Sequence, residues 1–325
     1  MKVMRKLLLR DRSLVYSALL VIIPMLLVGI IAYERSSKTL ESEARQYSWQ
    51  IIEQVKHYVE DYLRGYELDT LKIVNHPDTV AFLKLKTMEE PGSSERVASV
   101  RNVLKNFAYS QSDVTNITLV LDGLFSIQTA NEEDILITKG IENESWYQSV
   151  PLTGRPQVYS RQIHWKGRQE PVLSILKRIV NPQTLGAYGM LIIDLNYKRL
   201  QEAASDIRLG ESGHGFLFIV DSSGRIVYHP TMQIIGSNLD PSILHAMKDL
   251  SSGSFVSGQG ADKMLYTYSL SERFNWYFVT SIPYGELMSS RTQMGSTILY
   301  TTAASMVIAF ILSIGLASSI VRPIK

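Results

Sequence analysis

The sequence has no cysteine among its 325 residues. That excludes a disulfide framework, thiolate metal sites, iron–sulfur clusters and cysteine nucleophiles. Any part of the chain outside the cell must therefore be held by an ordinary apolar core. Charge of one sign is also lacking, since 33 Lys and Arg face 31 Asp and Glu for a net charge of +2. Nothing in that balance suggests a nucleic-acid partner, since such proteins carry a basic excess. The six histidines, His57, His76, His164, His214, His229 and His245, show no metal-ligand spacing such as HExxH. No phosphate loop or nucleophile–base pair is visible either. The sequence thus assigns no catalytic residue, no metal and no cofactor.

Long hydrophobic runs are present, and there are two of them. No charged residue occurs from Thr292 to Val321. Residues 298–321 form a helix of ~36 Å at ~1.5 Å per residue, enough for a hydrocarbon core of ~30 Å. Residues 14–33 form a second apolar run, carrying Pro24 and Gly29. A cleaved signal peptide has an apolar core of ~7–15 residues and a small-x-small site. This run is longer and passes into Tyr33-Glu34-Arg35, so it reads as an uncleaved anchor. Seven basic residues flank the two runs: Lys2, Arg5, Lys6, Arg10, Arg12, Arg322 and Lys325. Setting these and Asp11 aside leaves 26 basic against 30 acidic residues in between, a net charge of −4. The positive-inside rule then places both termini in the cytoplasm and residues 34–297 outside.

Between the two runs the hydrophobic period changes twice. Leu40, Ala44, Ile52, Val55, Val59, Tyr62 and Tyr66 follow a 3.6-residue period, with charged residues between them. This predicts one long helix over residues 36–75, stopped at His76-Pro77. Short helices are expected at 78–86 and 95–110. Strands are expected at 117–121 and 124–129, around the Asp122-Gly123 turn signal. One helical turn at 142–147 precedes strands at 157–163, 172–180 and 186–195 and a helix at 197–207. A second unit of the same style has strands at 215–221, 225–229, 253–257, 263–270 and 276–282, with a helix at 241–250. The chain therefore divides into a basic head (1–13), a first membrane helix (14–33), a stalk helix (34–75), two α+β modules (76–209 and 210–283), a juxtamembrane helix (284–297), a second membrane helix (298–321) and a basic tail (322–325). Each module is expected to carry an antiparallel sheet.

The stretch Gly213-His214-Gly215-Phe216-Leu217-Phe218-Ile219-Val220-Asp221-Ser222-Ser223-Gly224-Arg225-Ile226-Val227-Tyr228-His229-Pro230, with Trp276 to Pro283, resembles the membrane-proximal module of double Cache sensors. Glu144-Ser145-Trp146-Tyr147 and Gly189 to Leu195 resemble marks of the distal module. The resemblance covers about residues 36–297 and implies two tandem PAS-like modules on a stalk helix. Val321-Arg322-Pro323-Ile324-Lys325 resembles the opening of a HAMP linker. The basic head, the membrane helix with its internal proline and the long helix are similar to YesM-type sensor histidine kinases. What this implies is the input half of a two-component kinase, a homodimer by way of HAMP, and a response regulator as cytoplasmic partner. Chemoreceptors and diguanylate cyclases use the same modules.

The resemblance further implies a small-molecule pocket in the distal module, built from an aromatic pair on a short helix and polar side chains on facing strands. Trp146 and Tyr147 match the pair, each with a flat apolar face and a polar tip. Tyr159 and Arg161 lie on a strand that would line the pocket, and Asp194 ends another. Asp194 is able either to meet a ligand amine or hydroxyl or to cap the helix near Tyr197. Amino-acid-binding members place an arginine two residues before the tryptophan, where this chain has Glu144. The implied ligand is therefore a carbohydrate more than an α-amino acid. His214 and His229 are placed near one another by the strand pair. Gly295, Ala303, Ala304, Gly315 and Ala317 are small residues of the kind that let membrane helices approach closely.

Overall fold

The computed structural model describes residues 9–321 apart from 86, 88, 124, 130–140, 142–143, 154, 166–167, 182–185, 206, 208, 211–212 and 249. Most of the basic head and all of the tail at 322–325 lie outside the described residues.

A single helix, α1 (Leu9–Val74), runs for 66 residues, or ~99 Å at ~1.5 Å per residue. Ile52, Val55, Val59, Leu63, Tyr66, Thr70 and Ile73 repeat at intervals of three and four and are all buried, so one stripe of the helix faces the core. Leu63, not Tyr62, occupies the stripe. Tyr62 instead turns its hydroxyl to Asp113 Oδ2 at 2.5 Å, beside Tyr66, which donates to Oδ1 at 2.7 Å. Pro77 opens the next helix, α2 (Pro77–Leu83), and His76 Nδ1 accepts the Asp78 N–H at its start. Helix α3 (Ser93–Ser110) follows.

The first sheet contains β1 (Val114–Leu121), β2 (Phe125–Gln128), β3 (Gln157–Trp165), β4 (Arg168–Val180) and β5 (Ala187–Leu195), in the spatial order β2-β1-β5-β4-β3. Gly123 closes the β1–β2 hairpin at φ +72°, a conformation that favours glycine. A short helix, α4 (Ser145–Ser149), lies between β2 and β3, and α5 (Lys198–Ser205) follows β5. The second sheet contains β6 (Phe216–Asp221), β7 (Ile226–Tyr228), β8 (Ser252–Ser257), β9 (Met264–Ser271) and β10 (Trp276–Pro283), ordered β7-β6-β10-β9-β8. Its one α-helix, α6 (Pro241–Met247), is capped by Asp240, which accepts the Ser242 N–H at 2.8 Å. Every strand pair in both sheets is antiparallel, and the two sheets have the same order.

Alternation along the strands gives each sheet two faces. The near faces pack on α1 in one continuous core that takes Ile117, Leu119, Ile175 and Ile193 from the first sheet and Leu217, Ile219 and Phe278 from the second. Each such fully buried side chain contributes about 1.5–3 kcal/mol. A polar row fixes α1 to the second sheet beside that core. Lys56 Nζ and Glu53 Oε1 meet Ser269 Oγ at 2.9 and 2.7 Å, and Ser271 Oγ donates to Glu60 at 2.5 Å. Arg45 donates to Ser254, and Arg273 pairs with Glu67.

Helix α7 (Tyr284–Val321) continues without a break from β10. Among the described residues one stretch, Gly295–Leu312, is long and apolar enough to cross a membrane. Helix α7 packs along α1, and a Cβ at Gly295 would lie 2.6 Å from the Tyr33 ring, so glycine is what permits that approach. Residues 14–33, expected to span the membrane, form part of α1.

Candidate ligand-binding site

The face of the first sheet turned away from α1 carries Asn116, Thr118 and Val120 from β1, Met190, Ile192 and Asp194 from β5, Ser174, Leu176 and Arg178 from β4, and Tyr159 and Arg161 from β3. These are alternate residues on each strand, and the register aligns Tyr159 with Ser174, Ser174 with Asp194 and Asp194 with Asn116. Helix α4 lies over this face, where Trp146, Tyr147 and Val150 pack on Val120, Leu176, Met190 and Ile192. All five residues singled out from the sequence come together here, on two strands and one helix.

At one end of the layer between α4 and the sheet, Asp194, only 1% exposed, is held on both oxygens by Arg161 Nη2 at 2.8 and 2.9 Å. Ser174 Oγ donates to Asp194 Oδ1 at 2.6 Å and accepts Arg161 Nε at 2.7 Å, which closes a three-residue ring of bonds. A buried carboxylate is tolerable only when paired in this way. The Arg161 guanidinium also sits 5.0 Å from the centroid of Trp146, a cation–π arrangement that holds the aromatic ring over the cluster. Asp194 does not cap the following helix. Asn196 does so, accepting the Lys198 N–H at 3.0 Å, because its side chain is two residues nearer the helix start.

At the other end Arg178 lies 4.4 Å from the centroid of Tyr147, whose hydroxyl donates to Asp122. Arg178 Nη1 is 3.7 Å from Asp122 Oδ1. Tyr159 faces the edge of that layer and is tied to the second sheet, its hydroxyl accepting Arg225 Nη1 at 3.3 Å. Glu144 is exposed and occupies the N-cap position of α4.

The sequence reading missed Ser174 and Arg178. A serine and an arginine two and six residues into the apolar run Val172-Leu173-Ser174-Ile175-Leu176-Lys177-Arg178 were the signal, since both share the parity of Leu176. The two histidines expected near one another have different partners. His214 Nδ1 lies 2.8 Å from Glu286 on α7, whereas His229 meets Phe216 edge to face with ring centroids 4.9 Å apart.

The far face of the second sheet is different in kind. Phe218, Val220, Tyr268, Tyr277 and Val279 are buried there with Met247 of α6, and Phe216, Phe255 and Tyr266 pack around them. It is a closed apolar layer.

The Cache domain family pattern matches residues 36–291. McpA of Bacillus subtilis, a methyl-accepting chemotaxis protein, is 20% identical over 318 residues, which cover 97% of this chain and 45% of McpA. The ligand-binding domain of Mlp24 with asparagine superposes with a TM-score of 0.55 at 15% identity, covering 79% of this chain and 98% of that domain. The extracellular domain of the candidate histidine kinase vpHK1S-Z8 superposes at 0.58 and 12% identity, covering 77% and 98%. The chain spans 34% to 45% of the length of the curated relatives it matches. Likeness at these identities carries the fold alone. With its tandem antiparallel sheets on one long helix and the family pattern over most of its length, the chain belongs to the Cache domain family.

Proposed function

We propose that the chain is the extracytoplasmic sensor of a transmembrane signalling protein and that its ligand binds in the slot between α4 and the first sheet. The observation that carries this reading is the convergence of Trp146, Tyr147, Arg161 and Asp194 on one face, brought from segments up to 48 residues apart in the chain. The first sheet with α2–α5 then forms the distal module (76–209) and the second sheet the proximal one (210–283). Residues 14–33 and 298–321 are the two membrane spans, both termini are cytoplasmic, and residues 322–325 begin a HAMP linker in a homodimer. A ligand acts by favouring one packing of the distal module over another, and α7 carries the shift inward.

For the ligand we favour a carbohydrate. Trp146 and Arg161 offer flat surfaces for a sugar ring, and Glu144 stands where the amino-acid-binding pattern has arginine. The ligand-binding domain of Mlp24 with asparagine makes an amino acid the alternative. Two outputs fit the sensor. The YesM-type resemblance and the likeness to vpHK1S-Z8 support a histidine kinase that passes phosphate to a response regulator. The match to McpA, which runs through 97% of the chain, favours a chemoreceptor output.

The test is thermal melting of the full 325-residue chain in detergent micelles with a panel of sugars and amino acids. A ligand that binds only the folded state raises Tm by mass action, with about 2.7 kcal/mol gained at 100 times its Kd. Trp146→Ala is expected to remove most of that gain. An equal gain in the variant would place the ligand elsewhere.

A further inference from the structure

On β4 every second side chain faces the slot, and Arg178 ends the row that begins with Ser174 and Leu176. Its side chain is 10% exposed, and within the described residues neither Nε nor Nη1 has a hydrogen-bond partner. Asp122 stands 3.7 Å from Nη1, beyond hydrogen-bond reach, and the same carboxylate oxygen is occupied by the Tyr147 hydroxyl. Arg161 on the neighbouring strand shows the contrast, since its Nε and Nη2 are both taken by Ser174 and Asp194. Buried polar groups in folded proteins are almost always bonded, so a buried guanidinium with two empty donors asks for an acceptor. The surroundings, with Tyr147 under the guanidinium and the buried Met190 opposite Arg178 across the β4–β5 pair, are dry enough to strengthen such a bond.

We propose that Arg178 is the oxyanion-binding group of the slot and that the ligand presents a carboxylate or phosphate to its Nη1–H. Guanidinium donors match the geometry of both oxyanions. The remainder of the ligand lies against Trp146 and Met190. The inference rests on the reading of the slot as the ligand site and narrows that ligand to an anion, which among carbohydrates means a sugar acid or sugar phosphate. Asp122 opposes the incoming charge and sets how tightly it is held.

The test uses the full chain in detergent micelles, melted in sodium acetate, inorganic phosphate or sodium chloride at matched ionic strength. Acetate or phosphate is expected to raise Tm saturably above the chloride value, and the stronger of the two identifies the oxyanion. Arg178→Gln removes the difference. Asp122→Asn, which keeps an acceptor for Tyr147, tightens the apparent oxyanion affinity severalfold. Identical melting in the three salts overturns the proposal, and so does an oxyanion effect that survives Arg178→Gln. If Arg178→Gln does not fold, Asp122→Asn decides, because an unchanged oxyanion affinity there is also contrary. Trp146→Ala keeps the two readings apart. A small oxyanion needs only Arg178, so its effect persists in that variant, whereas a larger ligand that Trp146→Ala retains equally removes the slot reading and leaves Arg178 standing.

Discussion

The two sheets share a strand order and both lay their near faces on α1, yet their far faces are built for different ends. In the second sheet that face is aromatic and aliphatic, sealed by Met247 and its neighbours. In the first it carries two arginines and a buried aspartate under an aromatic lid. Apolar burial is nondirectional and contributes stability wherever it occurs. Buried ion pairs are weak evidence for stability, since well-packed apolar residues often do as well. The second sheet shows that this fold closes without them. The charges of the first sheet are what the proposed binding role rests on.

The comparison breaks most sharply where each sheet is most committed. Phe278→Ala, in the near face of the second sheet and fully buried, is expected to cost about 3–5 kcal/mol in denaturant unfolding while leaving any ligand-induced Tm gain in place. Asp194→Ala in the first sheet strands the Arg161 guanidinium and is expected to cost about 3 kcal/mol. Restoring apolar contact with Arg161→Met in the same chain should recover most of that loss but no ligand response. A double variant that still responds would show that the cluster serves packing alone.

Smaller effects sharpen the contrast. Ser271→Ala removes one bond between β9 and α1 and is expected to cost about 1 kcal/mol, with the slot unchanged. One pH response comes from the second sheet. Burial against Phe216 pushes the His229 imidazole below its ordinary value of 6.5. The folded chain thus holds His229 neutral where the unfolded chain begins to take up a proton. Stability is complete above that value and falls as pH drops below it, until the folded ring also protonates. His229→Phe should flatten this part of the stability–pH curve, and a slope that survives the substitution assigns it to another group.

Much of this was legible in the sequence because period alone separates the elements. The i, i+3, i+4 stripe of α1 fixes which of its residues face inward. Trp146 and Tyr147 came from the family resemblance of their short helix, and Asp194 from its place at the end of an apolar strand. Arg178 was not, since a lone arginine within an apolar strand shows neither its face nor its partners until the β4–β5 register is known. The pairing of Arg161 with Asp194, 33 residues on, is equally nonlocal. Asp113 was missed for the same reason, because Tyr62, Tyr66 and Arg199 reach it from two other helices.

The central claim is that one far face binds and the other packs, and hydrogen exchange of the full chain in micelles tests it most directly. With a compound that raises Tm, the account predicts added amide protection at residues 144–150, 157–161 and 174–178, with residues 216–220 and 264–270 unchanged. Protection confined to residues 216–220 and 264–270 would contradict it.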